Sequence, residues 1–195
     1  GALWAVIKPI NIVFLSAYLL FNLTSMAEIS FAPTFLQLQG VDATVAGSLS
    51  TIPSLLAIVF GPLFGLLADR TGQTRWLLVV AMALIGPGCC IILSTTSVWL
   101  WLGIALAGMA MGVPALALTC YPQLLKRPEL IGVGMGVFNI FQNVGAFLGS
   151  MEPLWFLGAN QDNWPAAALS LLITGILGTA CYLLVALRRK SVFPE

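Results

Sequence analysis

Histidine is absent from the 195 residues, and charged residues make up only 8% of the chain. Without histidine, this chain cannot form His-ligated zinc or haem sites, or a Ser-His or Cys-His catalytic dyad. Soluble domains carry about 25% charged residues, so the charge content is atypical of a protein surrounded by water. Eight basic and seven acidic residues leave a net charge of only +1, which gives no indication of a nucleic-acid partner.

Apolar residues, by contrast, are abundant: 59% of the chain is hydrophobic, and the mean hydropathy is +1.01. A globule of this size could not hide so much apolar surface from water, so lipid is the expected solvent. A bilayer core about 30 Å thick is crossed by about 20 apolar residues of helix. The sequence therefore predicts an all-α integral membrane protein, a single bundle over residues 1–195 with spans at 9–33, 46–68, 76–94, 98–125, 131–157 and 166–187.

The basic residues all fall on one side of this six-span topology. The positive-inside rule makes that side cytoplasmic, so we predict a multi-pass protein of the plasma (inner) membrane with both termini in the cytoplasm. The connections between spans are too short to form a soluble domain. The basic residues are Lys8, Arg70, Arg75, Lys126, Arg127, Arg188, Arg189 and Lys190.

Small and helix-bending residues recur inside the predicted spans. Gly108 and Gly112, like Gly145 and Gly149, have the G-x-x-x-G spacing that lets membrane helices approach closely. We expect these pairs to pack within this chain, and contact with another copy or domain is the alternative. Proline removes a helical hydrogen bond and bends the axis. Prolines within the predicted spans include Pro53, Pro62, Pro87, Pro114 and Pro153.

The loop between the second and third spans has the ordered sequence GLLADRTGQTR over residues 65–75. Gly65 would allow two helices to approach closely, and Gly72 would permit a tight turn. Asp69 is suited to cap the free N–H groups at the start of the following helix. Arg70 and Arg75 would hold the loop on the cytoplasmic side of the membrane.

This loop resembles the signature of the major facilitator superfamily, a G-x-L-a-D-r-x-G-r-r pattern between the second and third helices of a six-helix half. The resemblance implies a half bundle made of a 3+3 inverted repeat. It also implies a partner half, with which the bundle encloses a central solute site and rocks around it. The residues of the implied cytoplasmic latch, which stabilises one access state, are Gly65, Asp69, Arg70, Gly72 and Arg75.

Two departures from the family pattern indicate which half the chain resembles. Gln73 and Thr74 stand where the family usually has basic residues, and the fourth span lacks the arginine common in the fourth helix of N-terminal halves. Both features are more typical of the C-terminal half, helices seven to twelve. Because one half supplies only one wall of the site, the chain is expected to need a covalent N-terminal half or a second copy of itself.

Two spans carry a stripe of polar side chains. Tyr18, Asn22 and Ser25 are spaced i, i+4, i+7 and therefore share one face of the first span. Polar groups are costly in lipid, so the stripes should face either a substrate cavity or a neighbouring helix, and both interpretations stay open. The stripe on the fifth span consists of Asn139, Gln142 and Asn143.

Glu28 and Glu152 are the only acidic residues within the predicted spans. A membrane environment disfavours a charged carboxylate, which makes both residues candidates for coupling proton movement to transport. The stronger expectation is that both are interfacial and solvated, because each lies far along its span from the cytoplasmic side. With no Lys or Arg inside the spans, this wall favours a neutral, apolar or cationic solute unless the other half supplies positive charge.

The leading hypothesis is half of a secondary active transporter that moves a small solute by alternating access, driven by an ion gradient. No Walker-type phosphate loop is present to use nucleotide, and we expect no enzyme activity, catalytic residue, metal or cofactor. The expected partners are the solute, the lipid bilayer and the other six-helix half, with no nucleic acid. One alternative is a six-span protein that works as a homodimer, and another is a non-transporting scaffold or receptor-like module.

Overall fold

The computed structural model describes residue 4 and residues 6–188. Two of the eight basic residues used to predict the topology, Arg189 and Lys190, lie outside the described residues. Six helical segments are long and apolar enough to cross a membrane, and no strand occurs in the described part of the chain. The predicted all-α fold with six spans is confirmed. Its helices are α1 (Pro9–Leu38), α2 (Ala43–Thr71), α3 (Thr74–Ile92), α4 (Trp99–Ala110), α5 (Gly112–Leu125), α6 (Ile131–Gly149), α7 (Glu152–Leu157) and α8 (Trp164–Arg188).

The fourth and fifth spans are each interrupted near a proline. The α4–α5 break at Met111 precedes Pro114, which has no N–H to donate to the carbonyl one turn earlier. The α6–α7 break precedes Pro153 for the same reason. By contrast, α1 continues through Pro33 to Leu38 and so extends beyond the predicted end of the first span. Each of the two interrupted spans is therefore a pair of shorter helices.

Close backbone contacts hold the bundle together around α1, which packs against α6 and α8. A Cβ atom added at Gly145 or at Gly149 would overlap a backbone carbonyl oxygen of α1. Gly108 and Gly112 face side chains of α2. The prediction that both G-x-x-x-G pairs pack within this chain is confirmed. The second and fifth spans are the least buried of the six.

The two ends of the bundle are identified by the crevices they contain. Pro9 and Arg188 line one crevice, so the first span begins where the sixth ends. Phe35, Leu93 and Trp164 line another, at the opposite end. The chain order of the spans then brings every described basic residue to the end that holds Pro9 and Arg188, which we call the basic end.

Candidate functional site

The connection between α2 and α3, at the basic end, turns sharply at Gly72. This residue ends α2 in the left-handed region, with φ 65° and ψ 7°, and its N–H donates to the Ala68 carbonyl at 2.9 Å. Thr71 Oγ1 donates to the Leu67 carbonyl and accepts from the N–H of Gln73 at 3.3 Å. The predicted tight turn at Gly72 is confirmed, because a residue without a Cβ adopts positive φ at little cost.

Asp69 does not cap the helix that follows the loop. It lies within the last turn of α2, is exposed, and makes no hydrogen bond or ion pair with the described residues. The next helix, α3, begins at Thr74 without a side-chain cap. The capping prediction is wrong because α2 continues to Thr71, which leaves Asp69 upstream of the turn. The carboxylate therefore lies at the negative end of the α2 dipole, where an acid is unfavourable.

The other residues of the predicted latch, Gly65, Arg70 and Arg75, make few contacts with the rest of the bundle. A Cβ atom added at Gly65 would meet nothing within 4 Å, so no helix among the described residues approaches closely there, contrary to the expectation for this glycine. Arg70 is exposed. The Arg75 guanidinium lies 5.8 Å from the centre of the Trp76 ring, within the range of a cation–π interaction.

The polar stripe on α1 lies against the fifth span. Tyr18 is buried and stacks on Phe138 of α6, with ring centroids 4.3 Å apart. Asn22 is half-buried, and its Cβ lies beside Gly145. Its side-chain amide donates to the Tyr18 carbonyl at 2.8 Å. The amide thus bonds to its own helix, and Ser25 is half-buried one turn further on.

The polar stripe on α6 is largely uncovered. Asn139 and Asn143 are exposed, and Gln142 is half-buried. The Asn143 amide donates to the Asn139 carbonyl at 2.7 Å, again within one helix. Gly132 and Gly136 are exposed on the same helix, and a Cβ at either would meet nothing within 4 Å. The described residues therefore show none of the interhelical bonding that was one interpretation of the stripes.

An aromatic cluster links four spans near the basic end, and the sequence analysis missed it. Phe14 contacts Tyr121 and Tyr182 at centroid distances of 5.6 and 5.2 Å, and Phe138 contacts Tyr121 at 5.4 Å. The hydroxyl groups of Tyr121 and Tyr182 are buried without a hydrogen-bond partner. No spacing along a single helix signals such a cluster, because its members come from separate spans.

Glu28 is buried inside the bundle, with only 1% of its surface exposed, and its Oε1 has no hydrogen-bond partner. The Cys89 side chain of α3 lies close to this carboxyl. One turn before it on α1, the Thr24 hydroxyl lies 3.0 Å from the Thr174 hydroxyl of α8. The expectation that Glu28 is solvated is wrong, because α1 continues to Leu38 and neighbouring helices cover the carboxyl.

Glu152 is also buried, at 3% exposure, and neither of its carboxyl oxygens has a hydrogen-bond partner. It begins α7 and lines a cavity of about 230 Å³ that is otherwise bounded mainly by α8. The expectation of a solvated carboxylate is wrong here too. No group of three or more His, Cys, Asp and Glu side chains in the described part of the chain could hold a metal ion.

Comparisons with known proteins agree with this architecture. Residues 2–150 match the family model of the Major Facilitator Superfamily. Over 127 residues the chain is 28% identical to a putative tartrate transporter of Agrobacterium vitis, a match that covers 64% of this chain and 28% of the relative. The chain thus spans less than a third of the curated relative's length, and no solved structure matches it. With six candidate membrane spans and a family match over most of its length, this multi-pass membrane chain belongs to the major facilitator superfamily of transporters.

Proposed function

We propose that this chain is one six-helix half, built as a 3+3 inverted repeat, of a secondary transporter in the plasma membrane. A small solute would cross by alternating access driven by an ion gradient, with both chain termini in the cytoplasm. The observation that carries the proposal is the uncovered stripe of α6, where two exposed glycines, Gly132 and Gly136, are followed by two exposed amides, Asn139 and Asn143. Polar amides are costly in lipid, whereas small residues let another helix approach closely. This face is therefore suited to a partner helix or an aqueous cavity.

The second span supports the same proposal. The open space at Gly65 leaves room for a helix that this chain does not supply. Asp69 has an unfavourable position at the end of the α2 dipole and no described partner, so a donor from outside the chain would stabilise it. We infer that the other half, either a covalent N-terminal half or a second copy, packs against both peripheral spans.

The latch assignment predicts that Asp69→Asn slows transport without preventing assembly. Asp69 is exposed and makes no hydrogen bond or ion pair with the described residues. Loss of its charge should therefore leave folding unchanged and weaken only the proposed contact with the other half. Transport rate and detergent-solubilised yield of the whole protein are the two measurements. Normal transport by Asp69→Asn would refute the latch.

Gly72 offers a matched pair of variants for the same loop. Gly72→Val should impair transport, because a β-branched residue is disfavoured at φ 65°. Gly72→Asn should be tolerated, because asparagine adopts this conformation more readily. Equal activity of the two variants would show that the turn geometry does not control switching.

The six stripe residues are our candidates for the solute-facing wall: Tyr18, Asn22, Ser25, Asn139, Gln142 and Asn143. Their amides and hydroxyls suit a solute with hydrogen-bonding groups. The relative's printed name makes tartrate a candidate for this chain. The described basic residues lie at the ends of the spans and not among the stripe residues, so the other half would have to supply the positive charge that balances an anion. A neutral or cationic solute needs no such counter-charge.

The half-transporter architecture predicts that residues 1–195 alone do not catalyse uptake. Liposomes that contain only this chain should accumulate no more solute than empty liposomes, because one bundle supplies one wall of the site. The mass of the chain in detergent provides the second measurement. If these liposomes took up solute robustly and the chain had the mass of a dimer, no different half would be needed. The chain would then work as a homodimer.

A further inference from the structure

The crevice at the end opposite the basic end is bounded by the ends of three spans, α1, α3 and α8. Its volume is about 350 Å³. Its apolar wall contains Phe35 and Trp164, whose ring centroids lie 5.2 Å apart. Three polar side chains, Gln39, Ser94 and Asp162, also line it, and all three residues are exposed. A small molecule in this crevice can therefore touch polar groups and an apolar wall at the same time.

Each of the three polar side chains has an oxygen that can accept a hydrogen bond. The Asp162 carboxylate and the Gln39 amide make no hydrogen bond or ion pair with the described residues. The Ser94 hydroxyl donates its proton to the Cys90 carbonyl, so its oxygen is left to accept. A primary ammonium group carries three donors and no acceptor. The crevice thus offers as many acceptors as such a group has N–H donors.

The backbone around the crevice also favours positive charge. Both α1 and α3 end here, with Gln39 and Leu93 as their C-caps, and the C-terminus of a helix carries about half a negative charge. The start of α8 has the opposite polarity, but Asn163 Oδ1 accepts from the Ala166 N–H there at 3.4 Å. The described basic residues all lie at the basic end. A cation in the crevice is therefore attracted by Asp162 and by two helix ends.

We propose that this crevice binds a small organic molecule with a primary ammonium group, taken from the aqueous phase. The ammonium donates to Asp162, Gln39 and Ser94, and the apolar part of the molecule packs against Phe35 and Trp164. The volume of about 350 Å³ is near the lower end of the range of about 300–1,000 Å³ for ligand pockets. The ligand is therefore small, such as one aromatic ring with a short amine.

This site is separate from the polar stripes proposed as the solute-facing wall. Along α1, Gln39 lies beyond Ser25 by about 20 Å, at a rise of about 1.5 Å per residue. An occupant of the crevice contacts the ends of α1, α3 and α8 together. Because it binds only where these ends meet, it should raise the thermal stability of the folded protein as its concentration rises.

Calorimetric titration of the whole protein in uncharged maltoside micelles tests the proposal with three probes. Benzylammonium should bind saturably and about tenfold more tightly than benzyl alcohol, which has the same ring without the charge. It should also bind about fivefold more tightly than benzyltrimethylammonium, which keeps the charge but has no N–H donor. Benzylammonium that only partitions into the micelle without saturation would overturn the proposal, as would equal affinities for benzylammonium and benzyl alcohol. Tighter binding of benzyltrimethylammonium would overturn the three-donor assignment.

Two acidic residues at the same end provide a matched pair of variants. Asp162→Asn should weaken benzylammonium binding about fivefold and leave benzyl alcohol binding unchanged. Asp42→Asn is the control: Asp42 is exposed, caps α2 and does not line the crevice, and asparagine caps a helix equally well. This control should bind benzylammonium like wild type. An equal loss in both variants would mean general attraction to negative charge and would overturn the site.

A third variant, Ser94→Phe, fills the crevice and should weaken the binding of both benzylammonium and benzyl alcohol. It also keeps the test decisive if Asp162→Asn fails to fold. Wild-type affinity for benzylammonium in a folded Asp162→Asn or Ser94→Phe protein would overturn the proposal. These measurements involve no transport, so their outcome is independent of the proposed function.

Discussion

Replacing Glu28 with glutamine in the complete transporter, with both halves present, is expected to abolish uphill transport while exchange of solute across the membrane continues. Glu28 is 1% exposed, and one of its oxygens has no hydrogen-bond partner. Taking an unpaired carboxylate out of water costs several kcal/mol, so its charge must be balanced by a bound proton or another cation. An ion that binds there at one stage of the cycle and leaves at another would link the gradient to the solute.

The glutamine variant separates coupling from solute binding. Glutamine keeps the size of the side chain and, like the protonated acid, both donates and accepts hydrogen bonds, but it cannot gain or lose the charge. Accumulation of labelled solute under an imposed ion gradient should fall to the level of empty liposomes. Counterflow, in which unlabelled solute inside the liposome exchanges for labelled solute outside, should persist because it needs no coupling ion.

The matched control for this experiment is Glu129→Gln. Glu129 is an exposed acid in the short helix Pro128–Leu130 at the basic end, and its replacement should leave accumulation unchanged. Wild-type accumulation by Glu28→Gln would show that Glu28 does not couple transport. Loss of both accumulation and counterflow in a folded variant would also contradict coupling, because it would make Glu28 part of solute binding.

Replacing Gly149 with alanine is expected to destabilise the bundle. The added Cβ would overlap the carbonyl oxygen of Leu23, which is a backbone atom and cannot rotate away as a side chain would. The α6 helix would have to move away from α1 and lose packing on both sides of the contact. Overpacking of this kind typically costs about 1–3 kcal/mol.

Gly47→Ala is the matched control for the Gly149 variant. Gly47 lies in α2, and a Cβ there would meet nothing within 4 Å. The same substitution should therefore be neutral or stabilise the protein by about 0.5–1 kcal/mol, because alanine favours helix over glycine. Thermal unfolding in detergent, followed by tryptophan fluorescence, compares the two variants. Equal melting temperatures for Gly149→Ala and Gly47→Ala would contradict the close contact between α6 and α1.

The candidate site was only partly predictable from the sequence. The turn at Gly72 and the intrachain packing of Gly145 and Gly149 followed from spacing, because local backbone geometry and helix periodicity dictate both. The prediction that Asp69 caps α3 was wrong because α2 continues past Asp69 to Thr71. The end of a helix is hard to predict because it depends on a few marginal hydrogen bonds. The roles of the latch, stripe and coupling residues stay predictions.

The sequence by itself determined the solvent, the number of spans and the family loop. Mean hydropathy, the length of apolar runs and the order of residues 65–75 are properties of the chain that no fold can change. Only the tertiary structure decided that Glu28 and Glu152 are buried, that aromatic rings from four spans meet, and that one face of α6 is left uncovered. These features depend on contacts between residues far apart in the chain, and hydropathy along a single helix carries no information about which neighbour covers each face.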